Sequence, residues 1–321
     1  MANLAVHEKA VHDGSDLAKL FQGTHEVQEC QPGEGEPTLA QYKTNCRKNP
    51  GHAGFIAVNN FAISHLPSGY HDNDIAQLIS CLADLTVKIT VNFNSLERPK
   101  HLPGNDGVYP GYGMRGRNSL RTGTGRVWRA IKYTELVKTC PCPTCQSSDT
   151  PSKVWGEVEV VTSSHVIFDE SEAKQSRCRL WYNDDNSPLV TLDGFRVDKW
   201  GSGAVDGCRL CCVTHDLKLA DKLQEMVNQF DDLRYTLKNK YKNTENKLTV
   251  LVSHPHGCSK LISVGHWVHR QGNKASRYTY TNCTCPGSGG ATVYRLGCGS
   301  SEHSHIGTNS DGLSFCGAHL D

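Results

Sequence analysis

The sequence predicts a mostly β protein, a barrel or a sandwich, with one long helix inserted between two groups of strands. From residue 109 onward, short β-branched and aromatic runs alternate with Gly, Asp, Asn and Pro, which is typical of antiparallel sheets. One segment, 217–242, instead spaces its apolar residues with a helical period on a charged background. The 321 residues are enough for one large domain or two ordinary ones.

The first part of the chain predicts a small α+β extension of unknown role. Residues 1–50 are polar, and the segment Gln-Pro-Gly-Glu-Gly-Glu-Pro at 31–37 would end any helix or strand. Only a short helix over 15–21 is therefore expected. A strand is predicted over 54–63, and the capping residues Asp-Asn-Asp at 72–74 predict the start of a helix over 75–91. We therefore divide the chain into an N-terminal extension, 1–106, and a β-rich domain, 107–321.

The β-rich domain opens with a hairpin candidate around Gly123-Thr124-Gly125. Further strands are predicted wherever β-branched residues cluster between turn-forming residues. A second hairpin candidate covers 154–168, and the predicted strands cover 177–182, 189–197, 248–253, 261–269, 278–281 and 291–296.

Composition and charge restrict the partners and the compartment. The 34 Lys and Arg residues nearly balance 33 Asp and Glu residues, so no bulk field would recruit nucleic acid or an anionic membrane. Residues 1–20 lack the apolar core of a signal peptide, and charged residues interrupt the longest apolar stretch. We therefore expect a soluble, cytoplasmic protein that binds neither nucleic acid nor membrane.

Fifteen cysteines without an export signal indicate reduced thiols, some of which could bind zinc. Two Cys-x-x-Cys pairs could supply the four thiolates of a tetrahedral structural zinc site. The pairs are Cys142 with Cys145 and Cys208 with Cys211. Because the pairs lie far apart in sequence, buried free thiols and a local disulfide stay open as alternatives.

Three short segments carry the chemistry that the sequence suggests. They are Thr-Ser-Ser-His-Val at 162–166, Thr-His-Asp-Leu at 214–217 and Pro-Gly-Ser-Gly-Gly at 286–290. In this order they resemble the His, Asp and Ser segments of the trypsin-like serine peptidases, especially the intracellular and bacterial branches. The resemblance covers about residues 107–321 and implies two six-stranded β-barrels, with the long helix inserted between motifs.

The same resemblance implies a serine endopeptidase that cleaves a peptide or protein substrate without a catalytic cofactor. His165 would be the general acid and base, Asp216 would orient it, and Ser288 would attack the peptide bond. Such a serine needs an imidazole to take its proton, and the imidazole needs a carboxylate to fix its tautomer. Gly287 and Gly289 would let backbone N–H groups point at the oxyanion.

The position of the nucleophile is open between two alignments. If Ser288 is the nucleophile, Pro286 falls where the family has an oxyanion donor, and proline has no N–H. If Pro286-Gly287 instead matches the family's Pro-Gly, then Gly287 donates correctly but Gly289 takes the nucleophile position. In that case the protein is a pseudoprotease, a binding or scaffold protein of the same fold, which zinc could further stabilise.

The same resemblance implies which residues line the substrate pocket. The residue six positions before Ser288 is Asn282, and the segment 305–309 resembles the strand that lines the pocket, with His305 and Gly307. An uncharged Asn282 argues against a preference for Lys or Arg. His303 and His305, together with His254 and His256, could also bind a metal, respond to pH, or lie at the surface.

Two of the triad residues have ordinary structural alternatives. His165 could be a structural histidine at the end of a strand. Asp216 could be the N-cap of the long helix, since an aspartate directly before Leu217 suits that position.

Overall fold

A computed structural model describes residues 23–103, 106–134, 138–199, 206–245, 247–271, 275–298, 303–317 and 319–320. The helix predicted over 15–21 lies outside these residues. The described helices are α1 (Glu36–Thr44), α2 (Asn73–Leu85), α3 (Pro143–Gln146), α4 (Glu170–Ala173) and α5 (Leu217–Tyr241).

The described strands fall into three groups. Three short strands precede the barrels in sequence and pair with barrel strands: β1 (Thr24–His25), β2 (Gln28–Glu29) and β3 (Ile56–Ala57). Six strands build the first barrel: β4 (Thr86–Val91), β5 (Arg121–Tyr133), β6 (Trp155–Ser163), β7 (Ser176–Leu180), β8 (Val190–Lys199) and β9 (Gly207–Thr214). The remaining strands are β10 (Leu248–Ser253), β11 (Leu261–Gln271), β12 (Ala275–Tyr280), β13 (Thr292–Arg295), β14 (His303–Thr308), β15 (Ser314–Cys316) and β16 (His319–Leu320).

The strand pairings close two six-stranded antiparallel barrels. In the first barrel the order is β4-β5-β6-β9-β8-β7 and returns to β4. In the second barrel the order is β10-β11-β12-β15-β14-β13 and returns to β10. Both barrels therefore use the same strand order, and the predicted trypsin-like double barrel is confirmed.

The helix predicted over 75–91 is shorter in the structure. Asp72 caps α2 by accepting a hydrogen bond from the N–H of Asp74, as expected, but the helix ends at Leu85. The next six residues, Thr-Val-Lys-Ile-Thr-Val, are mostly β-branched and form β4, which pairs with β5 on one side and β7 on the other. This strand precedes the predicted boundary between residues 106 and 107, so the first barrel extends into the segment assigned to the N-terminal extension.

The predicted hairpin around Gly123 is instead the middle of the single long strand β5. Both glycines serve close packing rather than a turn. A Cβ on Gly123 would lie 2.6 Å from Val166, and a Cβ on Gly125 would lie 2.6 Å from Val160. The barrel interior therefore requires glycine at these two positions.

The long helix lies where the sequence predicts it. Its buried face includes Leu223, Phe230 and Leu237, and it packs against α2 and β5 of the first barrel. None of the described helices is long and apolar enough to span a membrane.

Candidate active-site cleft

The first component of the cleft is a buried histidine and aspartate pair. His165 follows β6, and its Nδ1 lies 2.5 Å from Oδ2 of Asp206, the residue directly before β9. The backbone N–H of His165 also donates to Oδ1 of Asp206 at 3.2 Å. Burial alone would raise the pKa of Asp206, but the neighbouring His165 outweighs it and the pKa lies below the usual value. The carboxylate is therefore charged and can orient the imidazole.

Asp216, the sequence-predicted partner of His165, does something else. Its side chain caps α5 by accepting a hydrogen bond from the N–H of Leu219 at 3.0 Å. The orienting carboxylate belongs to Asp206, ten residues earlier. The pattern Asp-Leu-Lys-Leu at 216–219 reflects the start of the helix, whereas the only local signal at Asp206 is the dipeptide Asp-Gly, which is common in turns.

Gly289, rather than Ser288, faces the imidazole of His165. A Cβ on Gly289 would lie 2.5 Å from His165 Nε2, and that nitrogen has no hydrogen-bond partner among the described residues. Ser288 is fully buried, and its Oγ lies 3.1 Å from Ser253 Oγ and accepts the N–H of Cys285 at 3.2 Å. The hydroxyl of Ser288 is thus directed to the second barrel.

Two backbone amides converge on a single carbonyl oxygen next to this position. The N–H groups of Gly287 and Gly289 each donate to the backbone oxygen of Glu26 at 2.8 Å. Gly287 has a φ of +98°, and a Cβ there would lie 2.5 Å from the carbonyl oxygen of His254. Two convergent amides are the arrangement that stabilises an oxyanion in acyl transfer. Here they hold an intact peptide carbonyl.

That carbonyl belongs to residues 24–29, which we name the cleft segment. Its first half, β1, pairs antiparallel with β14, with His25 opposite Gly307, and the N–H of Glu26 donates to the oxygen of Ile306 at 2.8 Å. Its second half, β2, pairs antiparallel with β5 of the first barrel. A Cβ on Gly307 would lie 1.8 Å from the oxygen of Thr24, so only glycine allows this approach. The segment therefore crosses the cleft by adding short strands to both barrels.

The side chain of Glu26 enters a polar pocket in the second barrel. Its Oε2 lies 2.8 Å from Nε2 of His305, and its Oε1 accepts hydrogen bonds from Thr308 Oγ1 at 2.7 Å and from Lys48 Nζ. Burial alone would raise the pKa of Glu26, but the bonds from His305 and Lys48 lower it to about 2. On the far side of the ring, Nδ1 of His305 lies 2.6 Å from the hydroxyl of Tyr280. The pocket thus offers three side-chain hydrogen-bond partners to a carboxylate.

His25, the residue before Glu26 in the cleft segment, packs against His165. The rings of His25 and His165 pack edge to face with centroids 4.9 Å apart. Burial and the neighbouring His165 lower the pKa of His25 to about 3, so His25 is neutral at physiological pH. His165 is shielded from water by the chain's own residues.

The other predicted pocket residue lies elsewhere. Asn282 donates from Nδ2 to the oxygens of Thr249 and Ser263, at 3.1 and 2.8 Å, and so joins β10 to β11. No described contact joins it to Glu26. The four histidines that could have been surface residues, His254, His256, His303 and His305, are all buried.

The predicted four-cysteine set does not assemble. Cys208 and Cys211 lie on β9, where residues three apart point to opposite faces of the sheet. The Sγ of Cys208 faces the oxygen of Ile167, whereas the Sγ of Cys211 faces Asp198. Cys142 and Cys145 instead come together with Cys140 and His215. The signal for the last two was present in the run Cys-Pro-Cys-Pro-Thr-Cys and in the His of Thr-His-Asp.

No family model matches the chain, and no curated protein sequence matches it. Among solved structures it is similar to the Rv3671c protease from M. tuberculosis in its active form, at 12% identity and a TM-score of 0.40, over 75% of this chain and 78% of that chain. It is similar to Deg5 at 11% identity and a TM-score of 0.39, over 79% of this chain and 91% of that one. The HtrA-type protease AlgW with a tripeptide gives 11% identity and a TM-score of 0.39, over 76% and 59%. The strand order of the two barrels shows that this chain has the trypsin-like fold.

Proposed function

We propose that the chain is a catalytically silent protein of trypsin-like fold whose cleft binds acidic peptide segments, beginning with its own residues 24–29. The observation that carries the proposal is the position of Gly289, which lies next to His165 Nε2 and donates its N–H to the Glu26 carbonyl. Glycine has no hydroxyl, so the position facing the base offers no nucleophile. This favours the second of the two alignments that the sequence leaves open.

The hydroxyl of Ser288 is a poor substitute. To reach His165 it would have to leave Ser253 and the N–H of Cys285, and the carbonyl of Glu26 would still occupy both oxyanion amides. Breaking buried hydrogen bonds costs about 1–3 kcal/mol for each group left without a partner. In this conformation the cleft is therefore arranged for binding rather than for catalysis.

The cleft has the elements of a site that binds a peptide as an additional β-strand. Main-chain pairing with β14 and β5 supplies affinity that is independent of sequence, and one deep pocket supplies specificity. The pocket offers Lys48, Thr308 and His305 to a carboxylate. A glutamate side chain is the group it fits, and a partner with a glutamate in an extended segment would compete with Glu26.

We expect no reaction between the native protein and a fluorophosphonate probe. The reason is that Ser288 is buried away from His165 and the facing residue is Gly289. The measurement is intact mass and peptide mapping after incubation, with trypsin in a separate, parallel reaction as a positive control and His165→Ala as the matched variant. Labelling at Ser288 that disappears in His165→Ala would instead establish a working serine peptidase.

We expect a synthetic peptide with the sequence of residues 23–30 to bind Glu26→Ala but not the wild-type chain. In the wild type, the tethered segment competes at an effective concentration of the order of millimolar. Loss of the buried carboxylate contacts weakens that competitor by about 1.5–3 kcal/mol. Fluorescence anisotropy of the labelled peptide measures the binding.

Two controls make this experiment specific for the pocket. Glu29→Ala removes another carboxylate from the cleft segment but keeps Glu26, so it is expected to behave like the wild type. A peptide with alanine in place of the pocket glutamate is expected to bind Glu26→Ala at least about tenfold more weakly. Equal binding of the two peptides would show that the pocket does not recognise the carboxylate.

A further inference from the structure

Two groups of four Cys and His side chains lie outside the His165 and Asp206 pair. In each group the four candidate ligand atoms all lie within 4.8 Å of one another. The first group, the cleft tetrad, consists of Cys46, His52, His256 and Cys285. The second group, the loop tetrad, consists of Cys140, Cys142, Cys145 and His215.

The spacing within the cleft tetrad matches a tetrahedral metal site. Zinc bonds of about 2.3 Å to sulfur and about 2.0 Å to nitrogen hold the ligand atoms about 3.3–3.8 Å apart. The Sγ atoms of Cys46 and Cys285 are 3.6 Å apart, and Nε2 of His52 lies 3.7 Å from Sγ of Cys285. A disulfide would require about 2.05 Å between the sulfurs.

The groups around the cleft tetrad are those expected of an outer shell. Nδ1 of His256 lies 3.0 Å from Oε1 of Gln28, which fixes the ring, while its Nε2 is buried and has no hydrogen-bond partner among the described residues. Asn49 donates from its backbone N–H to Sγ of Cys46 at 3.4 Å and from Nδ2 to Sγ of Cys285 at 3.1 Å. Such bonds orient ligands and support thiolate charge.

Backbone strain is concentrated at the same place. His52 and His256 have φ values of +53° and +56°, in the left-handed region that non-glycine residues rarely adopt. Positions of this kind persist where their surroundings hold them, and they cluster at functional sites and ligand clamps. Both imidazoles of the cleft tetrad are thus presented by strained turns.

We propose that the cleft tetrad and the loop tetrad each bind one structural zinc ion. The cleft tetrad supplies Cys2His2 coordination and the loop tetrad supplies Cys3His, both sets that structural zinc sites use. In the cleft, the ion would join residues 46–52, which carry Lys48, to the loop that leads into the oxyanion amides at 287 and 289. The proposal does not depend on the proposed function, because it concerns metal content.

A separate observation supports the loop tetrad. Nε2 of His215 lies 3.0 Å from Sγ of Cys140 and 3.6 Å from Sγ of Cys145, and the N–H of Cys145 donates to Sγ of Cys142 at 3.3 Å. Cys142 and Cys145 flank the start of the short helix α3, and His215 follows β9. The tetrad therefore connects the loop after β5 to the start of α5.

The test is the zinc content of the full chain, purified without chelators, loaded with zinc and dialysed. We expect about two zinc ions per chain in the wild type and about one in each of two variants, His52→Gln and Cys145→Ser. His52 is only partly buried, so its replacement is compatible with folding. Cys258→Ser, which changes a buried cysteine near the cleft tetrad but outside it, is the matched control and should keep both ions.

Cobalt substitution assigns the ligands without any activity assay. Absorption from thiolate-to-cobalt charge transfer should correspond to five thiolates in the wild type, three in His52→Gln and about two in Cys145→Ser. Wild-type zinc below about 0.2 per chain would overturn the proposal for both sites. Unchanged zinc in one variant would overturn that site alone. If a variant does not fold, the wild-type stoichiometry and the five-thiolate cobalt spectrum still decide.

Discussion

Replacing Gly289 with serine should allow the cleft to cut its own chain between Glu26 and Val27. The expected products are residues 1–26 and 27–321, visible by intact mass and by a new amino terminus at Val27. Wild-type protein under the same conditions should stay whole. The change from no cleavage to cleavage is the largest effect that we expect from any single substitution.

The reason is that every other component of acyl transfer is already in place. Both oxyanion amides hold the Glu26 carbonyl, and Asp206 orients His165, whose Nε2 has no hydrogen-bond partner among the described residues. A Cβ on Gly289 would lie 3.2 Å from the carbonyl carbon of Glu26, which brings a hydroxyl within reach of it. The same Cβ would lie 2.5 Å from His165 Nε2 and 2.9 Å from the oxygen of Glu26, so the imidazole must move by several tenths of an ångström and the cleft segment must also shift slightly.

The reaction would follow the usual course of a serine peptidase. The introduced hydroxyl attacks the Glu26 carbonyl carbon while His165 takes its proton and then donates it to the nitrogen of Val27. Water then hydrolyses the ester between the introduced serine and Glu26, which releases the main-chain carboxylate of Glu26 and restores the serine hydroxyl. Gly289→Ala, which adds the same Cβ without a hydroxyl, and the double variant Gly289→Ser with His165→Ala should both stay uncut. A folded, uncut Gly289→Ser chain that also fails to react with a fluorophosphonate would contradict the assignment of position 289.

The β-rich class and the long helix could be predicted from the sequence because their signals are long, whereas the double barrel was implied by the family resemblance. The helix at 217–241 and most barrel strands have enough residues to show their period, and the turns between them are marked by glycine, proline and asparagine. The junction at Leu85 could not be predicted, since one apolar stretch changes from helix to strand without a break. There the pairing of β4 with two neighbouring strands outweighs local helix propensity.

The cleft was harder to predict for a different reason. His165 stands out because its segment ends a strand, but Asp216 resembles the family pattern only because it caps a helix. The cleft segment consists of two-residue strands, which are too short to have a period. Each tetrad joins two segments that are distant in sequence, 46–52 with 256–285 and 140–145 with His215, and only the folded chain brings these segments together.

Replacing Glu172 with glutamine should lower the free energy of unfolding by about 3–5 kcal/mol, because it leaves two buried arginines without their counter-charge. Glu172 is fully buried and binds Arg98 through Nε at 2.6 Å and Nη2 at 2.8 Å. It also binds Nη2 of Arg121 at 2.6 Å. Arg98 in turn donates to the oxygen of His165 at 3.2 Å, so the cluster supports the turn that carries the histidine.

The pH dependence distinguishes this charge cluster from simple packing. Burial alone would raise the pKa of Glu172, but Arg121 and Arg98 outweigh it and lower the pKa to about 2, below the usual 4.5. A depressed folded-state pKa gives stability that is complete above about pH 4.5 and disappears as the pH falls toward 2. The difference between the wild type and Glu172→Gln in urea unfolding should therefore shrink across that interval. Glu170→Gln removes an exposed carboxylate of the same helix that pairs with Lys174, and should change stability by less than about 0.5 kcal/mol. A loss below about 1 kcal/mol in Glu172→Gln at pH 7, or a difference that stays constant down to pH 2, would show that the buried charges do not stabilise the fold in this way.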